Sequence, residues 1–584
     1  MGLRSPVTPA KAGASSGEKR RRLLRAGIPA FAGMTGVFLS VASTLLLAAP
    51  ARASIDDASA LTAYVRARAA DSSGAAEQAA RNYGAALALA PGNEVLAARA
   101  LSQAIAAGHR PLALQAARVL DSAGKLAPDG RLLLVGEAFR AKRWKEAARQ
   151  IELLEQDEVF SFMTPLLRAW LAQGSGKGKP LVLLEASSGN ALAATYASDH
   201  RPLLLIAGGR AKEGALALAP LLADESIRSQ RLRIAAAAIL ARKGERGQAL
   251  ELLKGDSDAL VEARRRIESG KRLGGEIVTP AAGMAELLGR MAIDLNGQEV
   301  PQLALSFARL ATFLAPENAE TWLIAADLLS GQGRHESALA ALARVPRDDL
   351  FASNAADRRM TVLVEADRTA EALAEARQAA ADRPTEIDSW TRLGDILNEA
   401  KSHQQAAAAY GKALDLVKAG AEPRNPLWAL WLLRGSALTQ AGDWAAGKSA
   451  LEEARRLAPD QPVVLNFLGY SQLERRENLA EAEKMIGEAS RLQPDDSAIT
   501  DSLGWAHYVR GDVGKAIELL ERASQGQPAD SAIAEHLGDA YYSAGRRFEA
   551  RYAWRAALHY AEGPAADRLR TKIDTGLRPD LAAP

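Results

Sequence analysis

The chain has no cysteine among its 584 residues, few aromatics (5%) and only seven histidines. Without cysteine there can be no disulfide, thiolate zinc site, thiol nucleophile or lipidated amino-terminal Cys. The histidines are scattered at 109, 200, 335, 403, 507, 536 and 559, with no His-Glu-x-x-His pair. QGSGKGKP (173–180) has the glycines of a phosphate loop but neither its spacing nor a Ser or Thr after Lys179, and reads as a flexible loop. GDSDA (255–259) ends in Ala where a nucleophile elbow needs Gly. No irregular segment is long enough for a catalytic domain. The reading is a chain with no catalytic residues, no metal and no cofactor. There is also no basic stripe with interleaved aromatics, which argues against nucleic acid.

What the chain has is alanine-rich helical periodicity. Ser497 to Pro528 (SAITDSLGWAHYVRGDVGKAIELLERASQGQP) reads as two helices of about a dozen residues. Gly511-Asp512 makes the turn and Pro528 the stop. Gly504 and Ala516 are small where the helices would cross, and Leu503, Leu519 and Leu520 would fill the space between them. Such a hairpin cannot bury its apolar face alone and implies neighbours. The place held by Gly504 recurs 34 residues on at Gly538 and 35 back at Gly469. The same eighth place falls on Ala67, Leu101, Gly136, Ala169, Leu203 and Ala237. After a gap of 55 residues it resumes at Ala292, Ala326, Met360, Gly394 and Gly435.

Leu-Gly, an aromatic or Leu three residues later, a turn Gly, two spaced alanines and a closing Pro together resemble the tetratricopeptide repeat. The resemblance implies an all-α fold: a right-handed superhelical solenoid of antiparallel helix pairs, about fourteen units in two blocks, with first helices lining a concave wall. Trp322, Trp390 and Trp431 sit near the start of first helices, where this repeat commonly carries Trp.

Residues 1–53 lie apart from the repeats. Lys19-Arg20-Arg21-Arg22, the apolar run Val37 to Ala49 and Ala51-Arg52-Ala53 have the layout of a signal peptide cleaved after Ala53. An uncleaved inner-membrane anchor is the rival, because Arg25 and Arg52 bracket 26 uncharged residues. Met34 is an alternative start. The segment holds eight Lys/Arg and one Asp/Glu, so a chain without it would carry about −4 rather than +3. The expected domains are a diverged repeat block (54–253), an irregular linker (254–280), a second repeat block (281–564) and a capping helix with tail (565–584).

Function is expected on the concave wall. By the repeat resemblance, the second, fifth, ninth and twelfth places of first helices put Asn466, Tyr470, Asp501, Trp505, Tyr508, Glu535, Asp539 and Tyr542 there. Asp388, Asp395 and Asn398 hold similar places earlier. Aromatics flanked by carboxylates suit a protein or peptide partner. The alternative is that these aromatics pack between neighbouring first helices or against a cap. The last five repeats carry no Lys or Arg at the second, fifth or ninth place. The clamp that some family members use for acidic tails is thus absent, and a basic, apolar or extended segment fits better. The runs Leu468-Gly469-Tyr470, Asp501 to Trp505, His536 to Asp539 and Trp554 to Leu558 are similar to bacterial envelope repeat adaptors, among them one that partners a carboxyl-terminal processing protease. That similarity implies a periplasmic scaffold or adaptor with an envelope protease or its substrates as partners. A structural subunit of envelope polysaccharide export is the alternative.

Overall fold

A computed structural model describes residues 55–583 apart from 158, 223–226, 256 and 424; the expected signal segment lies outside them. Among the described residues all regular structure is helical. The chain divides into two compact units, one reaching Ala366 and one beginning at Asp367.

In the first unit α1 (Ile55–Ser72) pairs with α2 (Ala76–Leu89), and α3 (Glu94–Ala107) with α4 (Arg110–Ser122). The next pairs are α5 (Pro128–Arg140) with α6 (Trp144–Glu155) and α7 (Thr164–Ser175) with α8 (Pro180–Glu185). Then come α9 (Ala191–Ala207) with α10 (Ala211–Leu218) and α11 (Ile227–Arg242) with α12 (Arg246–Leu252). A single helix, α13 (Asp258–Glu268), precedes the pairs α14 (Pro280–Gly297) with α15 (Pro301–Leu314) and α16 (Ala319–Gly331) with α17 (His335–Leu342). The last helix of this unit is α18 (Ala352–Glu365).

The second unit opens with α19 (Thr369–Asp382). Its pairs are α20 (Ile387–Glu399) with α21 (His403–Lys418), α22 (Leu427–Gln440) with α23 (Trp444–Leu457), and α24 (Pro462–Glu474) with α25 (Leu479–Leu492). Then follow α26 (Ser497–Val509) with α27 (Val513–Gly526) and α28 (Ser531–Ser543) with α29 (Arg547–Tyr560), capped by α30 (Gly563–Thr575).

The repeat's chemistry is visible in α26–α27. Asp496 caps α26, its carboxylate accepting the backbone N–H groups of Ala498 and Ile499; such a cap contributes about 1 kcal/mol. Gly511 turns the chain at φ +89°, in the left-handed region that side chains disfavour. The turn imposes this conformation even without glycine, since Lys401 and Arg476 hold it at φ 56° and 54°. A Cβ on Gly504 would lie 2.8 Å from Leu520 Cγ, so glycine is what lets α26 and α27 approach this closely. All fourteen eighth-place residues are buried, thirteen on the first helix of a pair and Met360 on α18. Trp322 and Trp390 each donate the indole N–H to a Pro carbonyl six residues earlier, tying the helix start to the preceding turn.

The segment 254–280 does not divide the compact units. It lies inside the first, with α13 in its first part and irregular chain after it. The reason is that α14 and α15 pack back on the first helices α3, α5 and α7. A Cβ on Gly283 would collide with the buried Trp170 ring, and one on Gly136 with Leu314. Gly174 of the expected loop 173–180 belongs instead to the last turn of α7, against Pro280. Arg140 donates to the carbonyls of Phe313 and Leu314 at 2.8 and 3.1 Å. Arg334 donates to Glu77 at 2.8 Å and to the Ala106 carbonyl at 3.2 Å. The wall that the repeat would leave open is here covered by the chain itself.

Charge is buried along the same seam. Arg231 of α11 bridges Glu286 of α14 and Glu320 of α16 at 2.9 and 3.1 Å. One guanidinium faces two carboxylates, and burial, helped by Glu286, outweighs Arg231 and lifts Glu320 to about 7. Tyr196 donates to Asp294, which Arg290 also grips.

Gly283→Ala should destabilise the first unit by about 1–3 kcal/mol through overpacking against Trp170. Gly487→Ala, where no neighbour lies within 4 Å of the added carbon, should stabilise by about 0.5–1 kcal/mol; urea midpoints compare the two. Glu320 keeps a proton in the folded state between its unfolded value near 4.5 and about 7. Its contribution is therefore present below pH 4.5 and lost as pH rises through 7. From pH 5.5 to 8 the protein should lose about 2 kcal/mol more than Glu320→Gln in urea titrations.

Candidate functional site

The aromatic and acidic residues singled out on α24, α26 and α28 are brought together, but most are not open to solvent. Trp505 is 3% exposed. Its indole stacks on Tyr508 at 4.5 Å and on His536 at 4.2 Å, at interplanar angles of 16° and 15°. His536 donates its Nδ1 proton to both Asp501 oxygens at 2.9 and 3.0 Å, so α26 and α28 are stapled by a stack and an ion-supported hydrogen bond. Tyr470 and Asn466 are buried, and burial pushes the Tyr470 phenol well above its ordinary value. These side chains lie between first helices, the packing role that the sequence allowed as an alternative.

Glu535 and Asp539, one turn apart on α28, are claimed by the cap. Arg568 and Lys572, one turn apart on α30, meet them. Lys572 is fully buried, with Nζ 2.7 Å from Glu535 and 2.8 Å from both Asp539 oxygens. Arg568 adds a two-pronged bond to Glu535 at 2.7 and 2.8 Å. Burial alone would raise Glu535, but Arg568 and Lys572 outweigh it and hold the carboxyl at about 2. Burial raises Asp539 from its ordinary value even beside Lys572. Trp554 donates to the same carboxylate at 2.9 Å. The acidic lining expected to face a partner is thus neutralised from within the chain.

Tyr508 and Tyr542 stay half-buried at the edge of this wall. Tyr508 shares a 2.9 Å hydrogen bond with Ser543. Asp388, Asp395 and Asn398 sit on α20, away from this cluster in the repeat stack. Asp395 accepts from Tyr410 Oη at 2.9 Å, and Asn398 pairs with His403.

The wall already holds a segment of the chain. After α30 the chain turns at Gly576 (φ +88°), packed so closely on Tyr542 that a Cβ would strike its hydroxyl. It continues through a short 3-10 turn, Pro579–Leu581. Ala583 ends in the cluster of Tyr470, Leu473, Trp505 and Ala506, 6% exposed. Its backbone N–H donates to Asp539 Oδ2 at 2.8 Å. Sequence reasoning missed Lys572, Arg568, His536 and this docking. One signal was there: two cations four residues apart on the cap helix match two carboxylates four residues apart on α28.

A family profile described as tetratricopeptide repeat matches residues 387–416, which span α20 and most of α21. Among solved structures, the chain is similar to yeast Tom70, with 13% identity over 89% of this chain and 96% of that one, at a TM-score of 0.36. A tetratricopeptide repeat protein from Parabacteroides merdae gives 12% identity over 44% of this chain and 99% of that one, at a TM-score of 0.37. YrrB, described as a TPR protein with an unusual peptide-binding site, gives 15% identity over 34% of this chain and 97% of that one, at a TM-score of 0.26. No curated protein matches the chain.

Replacing Lys572 by Met keeps the volume but removes the only cation on buried Asp539 among the described contacts, leaving Glu535 to Arg568, at a cost of about 3–5 kcal/mol. Amide exchange should show α30 losing protection while α20 and α21 keep theirs. Adding Glu535→Gln and Asp539→Asn to Lys572→Met should recover part of that protection.

Proposed function

We propose that this chain is a non-catalytic interaction scaffold whose second unit holds extended protein segments against α24, α26 and α28. One observation carries the reading: a segment of the chain, 577–583, already lies there, its backbone N–H taken up by Asp539 and its Ala583 side chain set among aromatics. A surface that seats one non-helical chain end by backbone and small side chain has the chemistry to seat another segment. With Glu535 and Asp539 already paired, an apolar extended partner fits better than a basic one.

The finer proposal is an exported adaptor of the bacterial cell envelope. Its support is the signal-like layout of residues 1–53 and the likeness of the 463–558 runs to envelope repeat adaptors. An envelope protease or its substrates are the proposed partners, and the periplasm the proposed location.

Co-purification from envelope extract, read by mass spectrometry, tests the proposal. The unaltered chain should enrich an envelope protein at least tenfold over a Tyr508→Ala, Tyr542→Ala double variant of equal helicity by circular dichroism. An identical partner set for both would remove the groove from the account. Recovery of the chain from cytoplasm alone would remove the envelope.

A further inference from the structure

The segment that occupies the second unit's wall is held at its two ends and little between them. At one end Gly576 lies under Tyr542, and Leu577 joins the apolar cluster beneath the cap. At the other, Ala583 is buried and hydrogen-bonded to Asp539. Between them Arg578, Pro579 and Asp580 are exposed, and Leu581 and Ala582 are half-buried. Arg578 and Asp580 pair with each other rather than with the wall. The repeat pairs and the cap helix make their own contacts through Trp554, Lys572 and Arg568, none of which requires residues 577–583. The segment therefore has the form of a bound ligand that is also tethered.

We propose that residues 577–583 are a built-in competitor for this wall, and that the partner they hold off is an extended segment presenting a small apolar residue with a free backbone N–H where Ala583 now sits. This rests on the groove reading above and adds to it both the partner's chemistry and a means of regulation. The wall sets the specificity. The Ala583 methyl is 6% exposed in the cluster of Tyr470, Leu473 and Trp505, so a larger side chain would have to displace packed neighbours, and proline at that position has no N–H to donate. An acidic side chain there would be buried beside the Asp539 carboxylate, with Lys572 already committed to Glu535 and Asp539. A short tether keeps its ligand at an effective concentration on the order of millimolar. The partner's apparent affinity then falls by the fraction of molecules in which the wall is open.

The probe is a fluorescein-labelled peptide, LRPDLAAP, equal to residues 577–584. Anisotropy compares three chains: unaltered, truncated after Gly576, and full-length Ala583→Glu. The last keeps α30 and expels only the end of the segment. Circular dichroism and amide exchange over α28 to α30 establish that each is folded. The peptide should bind the truncated chain and Ala583→Glu at least tenfold more tightly than the unaltered chain. A peptide with Glu in place of its second Ala should bind none of them. Equal affinity for all three folded chains, or binding to none, overturns the competitor and makes 577–583 part of the fold. The envelope co-purification is repeated with the truncated chain. If the labelled peptide fails yet a partner is still lost with the Tyr508→Ala, Tyr542→Ala change, the groove reading stands and only the competitor falls. If both fail, the groove reading falls too.

Discussion

Helices stacked this densely approach most closely where one of them carries little side chain, and that constraint recurs throughout the molecule. Within pairs it sets Gly504 against Leu520, Gly394 against the Tyr410 ring and Gly538 against the Trp554 indole. Between segments distant in sequence it sets Gly283 against Trp170 and Gly136 against Leu314. Each contact puts the backbone of one helix on a large side chain of another, the arrangement that close packing of an alanine-rich interior favours. The turns between paired helices follow from it, because two helices held that near leave room only for a tight left-handed reversal. Lys401 and Arg476 accept that backbone although it disfavours them.

The two units treat the wall formed by their first helices differently. In the first, α14 and α15 cover it with apolar side chains, carbonyl-directed arginines and the Arg231–Glu286–Glu320 cluster. In the second, the cap helix neutralises the acidic end and a single irregular segment of chain crosses the aromatic part. The first surface is an interior by any measure. The second is covered by a few residues with few bonds, and that difference in how each is filled is why the proposed activity is assigned to the second.

The repeat frame was legible because its causes are local. The small eighth-place residues, the capping Asp496 and the turn Gly511 act within one hairpin, and every eighth-place residue from Ala67 to Gly538 is buried on a helix, Met360 alone outside a helix pair. The return of α14–α15 was not legible. Leu314 and Trp170 announce that they are buried, but nothing in their spacing says against which helix. The wall was half legible. Tyr470, Trp505, Glu535 and Asp539 do face one another across neighbouring first helices, as their places implied. Their exposure depends on Lys572 and Ala583, which approach from outside the repeat pattern. Trp505 also stacks on His536, a residue whose role the repeat frame does not mark.

The joining of α2 and α3 to the start of α17 has a consequence for how the molecule comes into being. Arg334 lies 257 residues beyond Glu77, its partner. At a synthesis rate of roughly 5–20 residues per second, the early helices wait on the order of 10–50 s for the segment that covers them. Through that interval their apolar faces are finished but unsheltered. Such long-range closure also slows folding, since the loop must be closed before its contacts repay the cost. The amino-terminal half of this chain is thus the part most exposed to misassociation during birth, and the part most in need of a chaperone's attention.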